Sequence, residues 1–155
     1  MTQLTRNFSL AELTKSETAL RFDMENTPGA VEIANLTELA GKVLQPIRDH
    51  FGKGVKVNSG FRHPEVNAKV GGSKTSDHCK GQAADIEIPG VANADLAQWI
   101  ADNLEFRQLI LEFYTPGIPD SGWVHVSFVP GDNKKQVMTA MRENGKTVYK
   151  PGLIA

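Results

Sequence analysis

One long segment with helical periodicity constrains the fold most strongly. From about Ala30 to His50, apolar residues recur every three or four positions, and Gly52 and Gly54 follow where the pattern stops. The apolar stripe consists of Val31, Leu36, Leu39, Ala40, Val43, Leu44 and Ile47. A helix with such a stripe has to bury it against other secondary structure. The segment therefore predicts a long helix that forms one layer of a packed core.

Shorter elements surround this helix. Ser9 and Glu12 match a capping box, which predicts a helix through about Leu20, and Asn93 is placed to cap a helix over 94–103. Residues 64–70 predict a helical turn. Strands are predicted at 55–59, 83–88, 108–113, 123–128, 136–142 and 146–150. The pair Asn144-Gly145 is a strong hairpin signal between the last two. Because helices come first and strands cluster later, we expect an α+β fold with N-terminal helices packed on a small antiparallel sheet.

The bulk composition narrows the function classes. A chain of 155 residues fits one domain, which we expect to span residues 1–155. The net charge of −1 gives no strong attraction to nucleic acid, and no segment is apolar enough to enter a membrane. The single cysteine, Cys79, excludes an internal disulfide. Since the N-terminus also lacks the apolar core of a signal peptide, we expect synthesis in the cytoplasm. We further expect a monomer.

Three residues in separate segments have the chemistry of a metal site. His78 lies in a polar loop, whereas Asp85 and His125 lie within strands that are otherwise apolar. An unpaired charge buried in a strand is costly, and a metal ion would remove that cost. Two histidines and one carboxylate are a known ligand set for catalytic zinc, which keeps one coordination position open. Zn²⁺ at such a site predicts hydrolytic chemistry.

Simpler interpretations exist for each residue alone. A histidine in a strand is often a hydrogen-bonded core residue, and an aspartate there is often salt-bridged. Cys79 adjoins His78, but we expect it to point elsewhere as a small apolar side chain. His50 is expected to end a helix and His63 to lie in a turn. The metal interpretation is favoured because the three residues occur together with a longer pattern.

That pattern resembles the zinc D-Ala-D-Ala carboxypeptidase family, which also includes phage L-alanyl-D-glutamate endopeptidases and belongs with the hedgehog signalling domain in one superfamily. The similarity runs from about Phe8 onward. It is carried by Ser59-Gly60-Phe61-Arg62, Asn67, Val70-Gly71-Gly72-Ser73, Ser76, His78, Gly81, Ala83-Ala84-Asp85 and Trp123-Val124-His125-Val126-Ser127. An ordered series of this length is far more specific than a short motif.

The resemblance implies roles for these residues. His78, Asp85 and His125 would bind zinc, and Arg62 would bind the substrate's carboxylate or the developing oxyanion. Ser76 would line the site. Ser127 and Trp123 share a strand face with His125, so Ser127 is a candidate substrate contact and Trp123 a candidate cleft wall. Core packing is the alternative for both.

The general base departs from the family pattern. Many relatives carry an acidic residue three positions before the last histidine ligand, where this chain has Gly122. Asp120 lies nearby in a proline-rich loop. Glu112 is the preferred candidate, because its strand could pair antiparallel with the His125 strand and bring the carboxylate beside the metal. A solvated residue at a strand end is the alternative.

The resemblance implies a zinc metallopeptidase that hydrolyses peptidoglycan stem peptides. A bacteriophage lytic enzyme of the endolysin type, acting on the bacterial cell wall after release or as part of the virion, is one form of this hypothesis. A DD-carboxypeptidase is another. Two alternatives stay open: a non-catalytic zinc-binding module, and a dipeptidase for small D-amino-acid peptides.

Overall fold

The structure, a computed structural model, describes residues 2–155, so Met1 lies outside it. Six helices flank one sheet of six strands. The helices are α1 (Leu10–Thr14), α2 (Glu17–Arg21), α3 (Ala30–Leu39), α4 (Gln45–Phe51), α5 (Pro64–Lys69) and α6 (Asn93–Asn103). The strands are β1 (Lys56–Ser59), β2 (Ala83–Glu87), β3 (Gln108–Glu112), β4 (Trp123–Ser127), β5 (Gln136–Glu143) and β6 (Lys146–Pro151). A π-helical segment, Ala40–Leu44, joins α3 to α4, and a 3₁₀ helix spans Asp77–Lys80.

The predicted long helix is present as the continuous run from α3 through the π-helical segment to α4. Gly52 ends it in the left-handed conformation, with φ 64°. The N-terminal helix is shorter than predicted. The capping box of Ser9 and Glu12 starts α1, but a second cap at Ser16 starts a separate helix, α2.

The sheet order is β1-β2-β4-β3-β5-β6. Every neighbouring pair is antiparallel except β3 and β5, which are parallel. The expectation of a wholly antiparallel sheet was therefore wrong at this pair. The parallel pairing of β3 and β5 results from the connection over 128–135. β4 ends beside the start of β3, so a chain that crosses to the far side of β3 enters the sheet at the same end and runs parallel to it. The hairpin at Asn144-Gly145 is confirmed, with positive φ at both residues.

The two faces of the sheet differ in what covers them. One face, including Leu109, Leu111 and Val124, is fully buried in a single core with α3, α4 and α6. On the opposite face lie Asp85, His125 and Glu112, which alternate with those core residues. The polar face therefore forms the floor of a cleft. Among residues 2–155, no helix combines the length and apolar content needed to cross a bilayer.

The N-terminal region is fastened to the end of β1 by a close backbone contact. A Cβ added at Gly60 would collide with the carbonyl oxygen of Leu13, and Phe61 N–H donates to the same oxygen at 2.7 Å. Gly60 therefore allows α1 to pack directly against the strand end that leads into the cleft.

We expect Gly60→Ala to lower the free energy of unfolding by about 1–3 kcal/mol, the usual cost of overpacking, because the backbone of Leu13 has to move. Gly54→Ala is the matched control, since no atom lies within 4 Å of its added Cβ. Urea unfolding of both variants measures the difference. Equal stabilities would contradict the proposed backbone contact.

Candidate metal centre and cleft

The cleft on the open face of the sheet holds a cavity of about 480 Å³. Side chains from β2, β3 and β4 form its floor, and the segment from Arg62 to His78 forms its opposite wall. His78, Asp85, His125, Glu112 and Arg62 all line it. The cavity therefore collects into one space residues that are widely separated along the chain.

Asp85 and His125 face each other on adjacent antiparallel strands. They are directly paired in the register of β2 and β4, and His125 Nδ1 lies 3.0 Å from Asp85 Oδ1. Directly opposed residues in such a pair point to the same face of the sheet. Both side chains are largely buried, with 16% of the Asp85 side chain and 12% of the His125 side chain exposed. The pairing thus brings one imidazole and one carboxylate together on the cleft floor.

His78 approaches this pair from the 3₁₀ helix above the sheet. Its Nε2 lies 3.4 Å from Asp85 Oδ1, and its ring is 2% exposed. Its Nδ1 lies 2.7 Å from the carbonyl oxygen of Gly60, which can only accept a hydrogen bond. Nδ1 therefore carries the proton, and Nε2 keeps its lone pair free. This arrangement, with one ring nitrogen tied to a carbonyl, is typical of histidines that bind metals.

The donor atoms of His78, Asp85 and His125 all lie within 4.8 Å of one another. Two imidazole nitrogens and one carboxylate oxygen match the ligands of an open zinc site. The three residues could therefore hold a zinc ion and leave a coordination position toward the cavity.

The negative charge of this cluster lies on the Asp85 carboxylate. Burial alone would raise the pKa of the Asp85 carboxyl, but the charges and hydrogen bonds of His78 and His125 outweigh it and hold the pKa well below its usual range. Burial lowers the pKa of His125, yet the hydrogen bond and charge of Asp85 leave it raised overall. Asp85 is thus an anion at neutral pH, which favours a cation among these three residues.

Glu112 lies at the end of β3, opposite Trp123 in the antiparallel register with β4. The predicted pairing of these two strands is therefore confirmed. Burial and, to a smaller extent, the charge of Asp85 together raise the pKa of Glu112 to about 7. A cation at the three ligands would act in the opposite direction. Among residues 2–155, the buried indole Nε1 of Trp123 has no hydrogen-bond partner of good geometry. Its N–H nevertheless lies near Glu112 and acts to lower the pKa of that carboxyl.

The structure explains why Gly122 has no acidic side chain. Its φ is 65°, and a Cβ there would collide with the carbonyl oxygen of Glu112. Asn93 holds the preceding loop, because its side-chain amide donates to the carbonyls of Ser121 and Gly122 instead of capping α6. Asp120, the other candidate base, lines a separate cavity with Asn93.

Arg62 follows β1 and reaches the cleft from its wall. Its backbone N–H donates to the His78 carbonyl oxygen at 3.1 Å, and Asn26 fastens the flanking residues Phe61 and His63. The guanidinium Nε is buried and has no hydrogen-bond partner in residues 2–155. An unpaired, buried donor of this kind is complementary to an anionic group entering the cavity.

The other candidate residues have mixed positions. Ser76 lines the cavity, and its hydroxyl caps the 3₁₀ helix by accepting from His78 N–H. Trp123 also lines the cavity. Ser127 does not reach it: the residue is fully buried, and its hydroxyl accepts from Gln108 N–H. The expectation that Ser127 contacts substrate was wrong, because the backbone of β3 occupies its hydroxyl.

Residues outside the predicted set also line the cavity. Gln108 and Arg107 come from β3 and the residue before it, whereas Gln136 and Tyr149 come from β5 and β6. Gln108 was detectable in principle, since it lies four residues before Glu112 on the same strand face. Gln136 and Tyr149 could not be predicted from the sequence, because their position in the cleft depends on the parallel pairing of β5 with β3.

The remaining histidines and the cysteine lie apart from the cluster. His50 stacks on Trp99 with ring centroids 4.4 Å apart, and His63 caps α5. The thiol of Cys79 is partly exposed and lines a different cavity beside α5. Among residues 2–155, His78, Asp85 and His125 form the candidate metal cluster.

Comparison with known proteins agrees with this geometry. The family model described as Peptidase M15 matches residues 6–127, which include the three candidate ligands, Arg62 and Glu112. A search of curated proteins finds no match. The predicted resemblance is thereby confirmed, and the family's chemistry is that of metallopeptidases. Since the match covers most of the chain, the protein belongs to the peptidase M15 family.

Proposed function

We propose that the protein is a zinc-dependent peptidase that hydrolyses peptide bonds in bacterial peptidoglycan stem peptides. The observation that carries this proposal is the convergence of His78, Asp85 and His125 at one cavity. Glu112 and Arg62 line the same cavity, and Arg62 Nε is buried without a hydrogen-bond partner among residues 2–155. A site with ligands alone would bind metal, whereas a site that adds a carboxylate and a cation has the groups needed for hydrolysis.

Zinc would be held by His78 through Nε2, by Asp85 and by His125. When bound, it lowers the pKa of a water ligand to about 7 and polarises the substrate carbonyl. The hydrogen bond from His78 Nδ1 to Gly60 keeps that ring in the tautomer and orientation that a ligand needs.

Glu112 would move the proton. Hydrolysis adds water across the amide, so the water's oxygen bonds to the carbonyl carbon while the C–N bond breaks. One proton passes from the water to Glu112 and then to the leaving nitrogen, which departs as an amine. A carboxylate accepts a proton in its charged form and donates it once protonated, so it suits both transfers. The position of Glu112 on the cleft floor supports this role over that of a solvated strand end.

Arg62 would orient the substrate by binding a carboxylate of the stem peptide. A guanidinium offers a planar pair of donors that match a carboxylate, and Nε is one of them. Because Asn26 and the His78 carbonyl fasten the backbone around Arg62, the donor is held in place before the substrate arrives. Preorganisation of this kind lowers the entropic cost of binding.

The non-catalytic zinc module is the main competing function. Gly122 in place of the usual acidic residue favours this alternative. Glu112 argues against it, because it lines the cavity from the neighbouring strand and supplies a carboxylate there. A bacteriophage lytic role remains our proposal for the biological setting, on the basis of the family resemblance. Release of soluble wall fragments from intact sacculi would support it.

We expect His78→Ala and His125→Ala each to weaken zinc binding by more than about 100-fold, because each removes a direct ligand. His50→Ala is the matched control, since His50 stacks on Trp99 away from the cluster. Zinc titration of the three purified variants measures the effect. Full zinc occupancy in His78→Ala at limiting metal would refute its assignment as a ligand.

We expect Glu112→Gln to lower kcat by about 10²–10⁴-fold while zinc content stays the same, because glutamine keeps the shape but cannot carry the proton. Asp120→Asn makes the same chemical change in the other candidate base and should retain activity. Product formation from purified peptidoglycan, followed by mass spectrometry, measures both. Loss of activity only in Asp120→Asn would assign the general base to Asp120 instead of Glu112. An inactive wild type that still binds zinc would favour the non-catalytic zinc-binding module.

We expect Arg62→Ala to raise KM by about tenfold or more on stem peptides that carry the recognised carboxylate, in line with the loss of a charge-assisted hydrogen bond. Peptides with that carboxylate converted to an amide should be bound equally weakly by wild type and variant. If Arg62→Ala weakens both forms of the substrate alike, Arg62 acts on something other than a carboxylate.

A further inference from the structure

Three aromatic side chains and one arginine gather at one edge of the cleft, where β3 ends. Trp123 and Tyr149 line the same cavity as the candidate metal ligands. The rings of Phe113 and Trp123 have their centroids 5.4 Å apart, and the guanidinium carbon of Arg142 lies 5.0 Å from the centroid of Phe113. We call these four residues the aromatic edge. Phe113, Arg142 and Tyr149 take no part in the proposed hydrolysis.

The strand register carries the aromatic edge across four neighbouring strands. Trp123 lies opposite Glu112, Glu112 lies beside Ala140, and Ala140 lies opposite Tyr149. Residues paired in this way share one face of the sheet. Strands lie about 4.8 Å apart, so the row from Trp123 to Tyr149 is about 14 Å long. The aromatic edge is therefore longer than a contact for a single small side chain requires.

Phe113 reaches this edge through an unusual backbone conformation. Strict alternation along β3 would turn its ring away from the face that carries Glu112. Its φ is instead 56°, which is rare for a bulky residue, and its ring lies beside Trp123. Its N–H still donates to the carbonyl oxygen of Ala140 at 2.9 Å, so the residue stays attached to the sheet. Strained residues of this kind cluster at ligand-binding and active sites.

Tyr149 and Arg142 supply the exposed part of the edge. The ring of Tyr149 is 55% exposed, so more than half of its surface can contact a ligand. Burial and then the charge of Glu112 raise the pKa of its phenol, in keeping with a position near that carboxylate. Arg142 is exposed as well. Stacking on the Phe113 ring orients the guanidinium, whose N–H donors point outward in its own plane.

The chemistry of the aromatic edge matches a sugar better than a stem peptide. Peptidoglycan stem peptides are built from alanine, acidic and diamino residues, which have no flat apolar faces to stack on aromatic rings. A pyranose ring has such faces, formed by its C–H groups, and a rim of hydroxyl and acetamido groups. Aromatic rings accompanied by a few hydrogen-bonding groups are the usual lining of a site for a ligand of this mixed character.

We propose that the aromatic edge is a glycan-binding subsite for the N-acetylated sugars to which peptidoglycan stem peptides are attached. Tyr149 and Trp123 contact the faces of the sugar rings, and Arg142, oriented by Phe113, donates to their acetamido or hydroxyl oxygens. This inference rests on the proposed function for the identity of the sugar and adds a second recognised part of the same substrate. Arg142 and Tyr149 lie beyond residue 127, where the family match ends.

The first test measures binding of a peptide-free glycan-strand fragment, an oligomer of alternating N-acetylglucosamine and N-acetylmuramic acid, by NMR titration of the zinc-loaded protein. Phe113→Asn and Tyr149→Thr should each weaken binding by about tenfold, in line with the loss of an aromatic contact. Asparagine tolerates a positive φ, and threonine keeps strand propensity. Arg142→Gln changes only an exposed side chain, so it provides a third variant that should fold normally and also bind more weakly.

Phe22→Asn is the matched control for the loss of an aromatic ring. Phe22 also has a cation over its ring, with Lys69 Nζ 4.2 Å from the centroid, but it lies at the end of α2 and does not line the cavity. This variant should bind the fragment as wild type does. If wild type does not bind the fragment, or if the three variants of the aromatic edge bind it as tightly as Phe22→Asn, the inference is overturned.

A second measurement separates this inference from the proposed function. It compares kcat/KM for one stem peptide with and without the attached disaccharide. Wild type should prefer the disaccharide-linked form by about tenfold, and Tyr149→Thr should lose that preference. Hydrolysis of both forms with equal kcat/KM by wild type would overturn the inference and leave the peptidase intact. Glycan binding that depends on the aromatic edge, without hydrolysis of either form, would support the subsite and overturn the peptidase.

Discussion

The antiparallel register of β2 and β4 is the constraint on which the rest of the site depends. It places Asp85 opposite His125 with both side chains on the open face, while Ala84, Ile86, Val124 and Val126 fill the core behind them. A slip of one residue would turn His125 into the core and an apolar valine into the cleft. Because burial of those apolar residues drives folding, the same hydrophobic pattern that stabilises the sheet also aligns the candidate ligands.

The third candidate ligand, His78, is positioned by a different kind of contact. His78 comes from a loop, so strand register cannot orient its ring. Its orientation comes from the Gly60 carbonyl, and Gly60 is in turn packed against the backbone of Leu13. The short N-terminal helix therefore supports the candidate metal centre indirectly, through a series of backbone contacts. Rigid support of this sort is what a ligand needs in order to be preorganised for its metal.

Most secondary structure was predictable, and so was part of the site. Alternation and turn residues located all six strands, and the apolar stripe located the long helix. The antiparallel pairing of β3 with β4 followed from two apolar strands joined by a loop, and it predicted that Glu112 lies beside the cleft, where the structure has it. The parallel position of β5 was not predictable, because it depends on which side of β3 the connection over 128–135 takes. The expected substrate contact of Ser127 was wrong for a related reason. Its hydroxyl accepts a hydrogen bond from the backbone of β3, and the residues next to Ser127 in the sequence do not indicate which strand lies beside it.

The sequence by itself determined the residue types of the site, its ligand chemistry and the family to which the chain belongs. These follow from local patterns: His78, Asp85 and His125 occur in contexts where a buried polar group needs a partner. Only the tertiary structure decided the distances between them, the position of Glu112 in the same cavity while Asp120 lines another, and the contribution of Gln136 and Tyr149 to the cleft. Those features depend on strand order and chain crossing, which are global consequences of packing that no short stretch of sequence encodes.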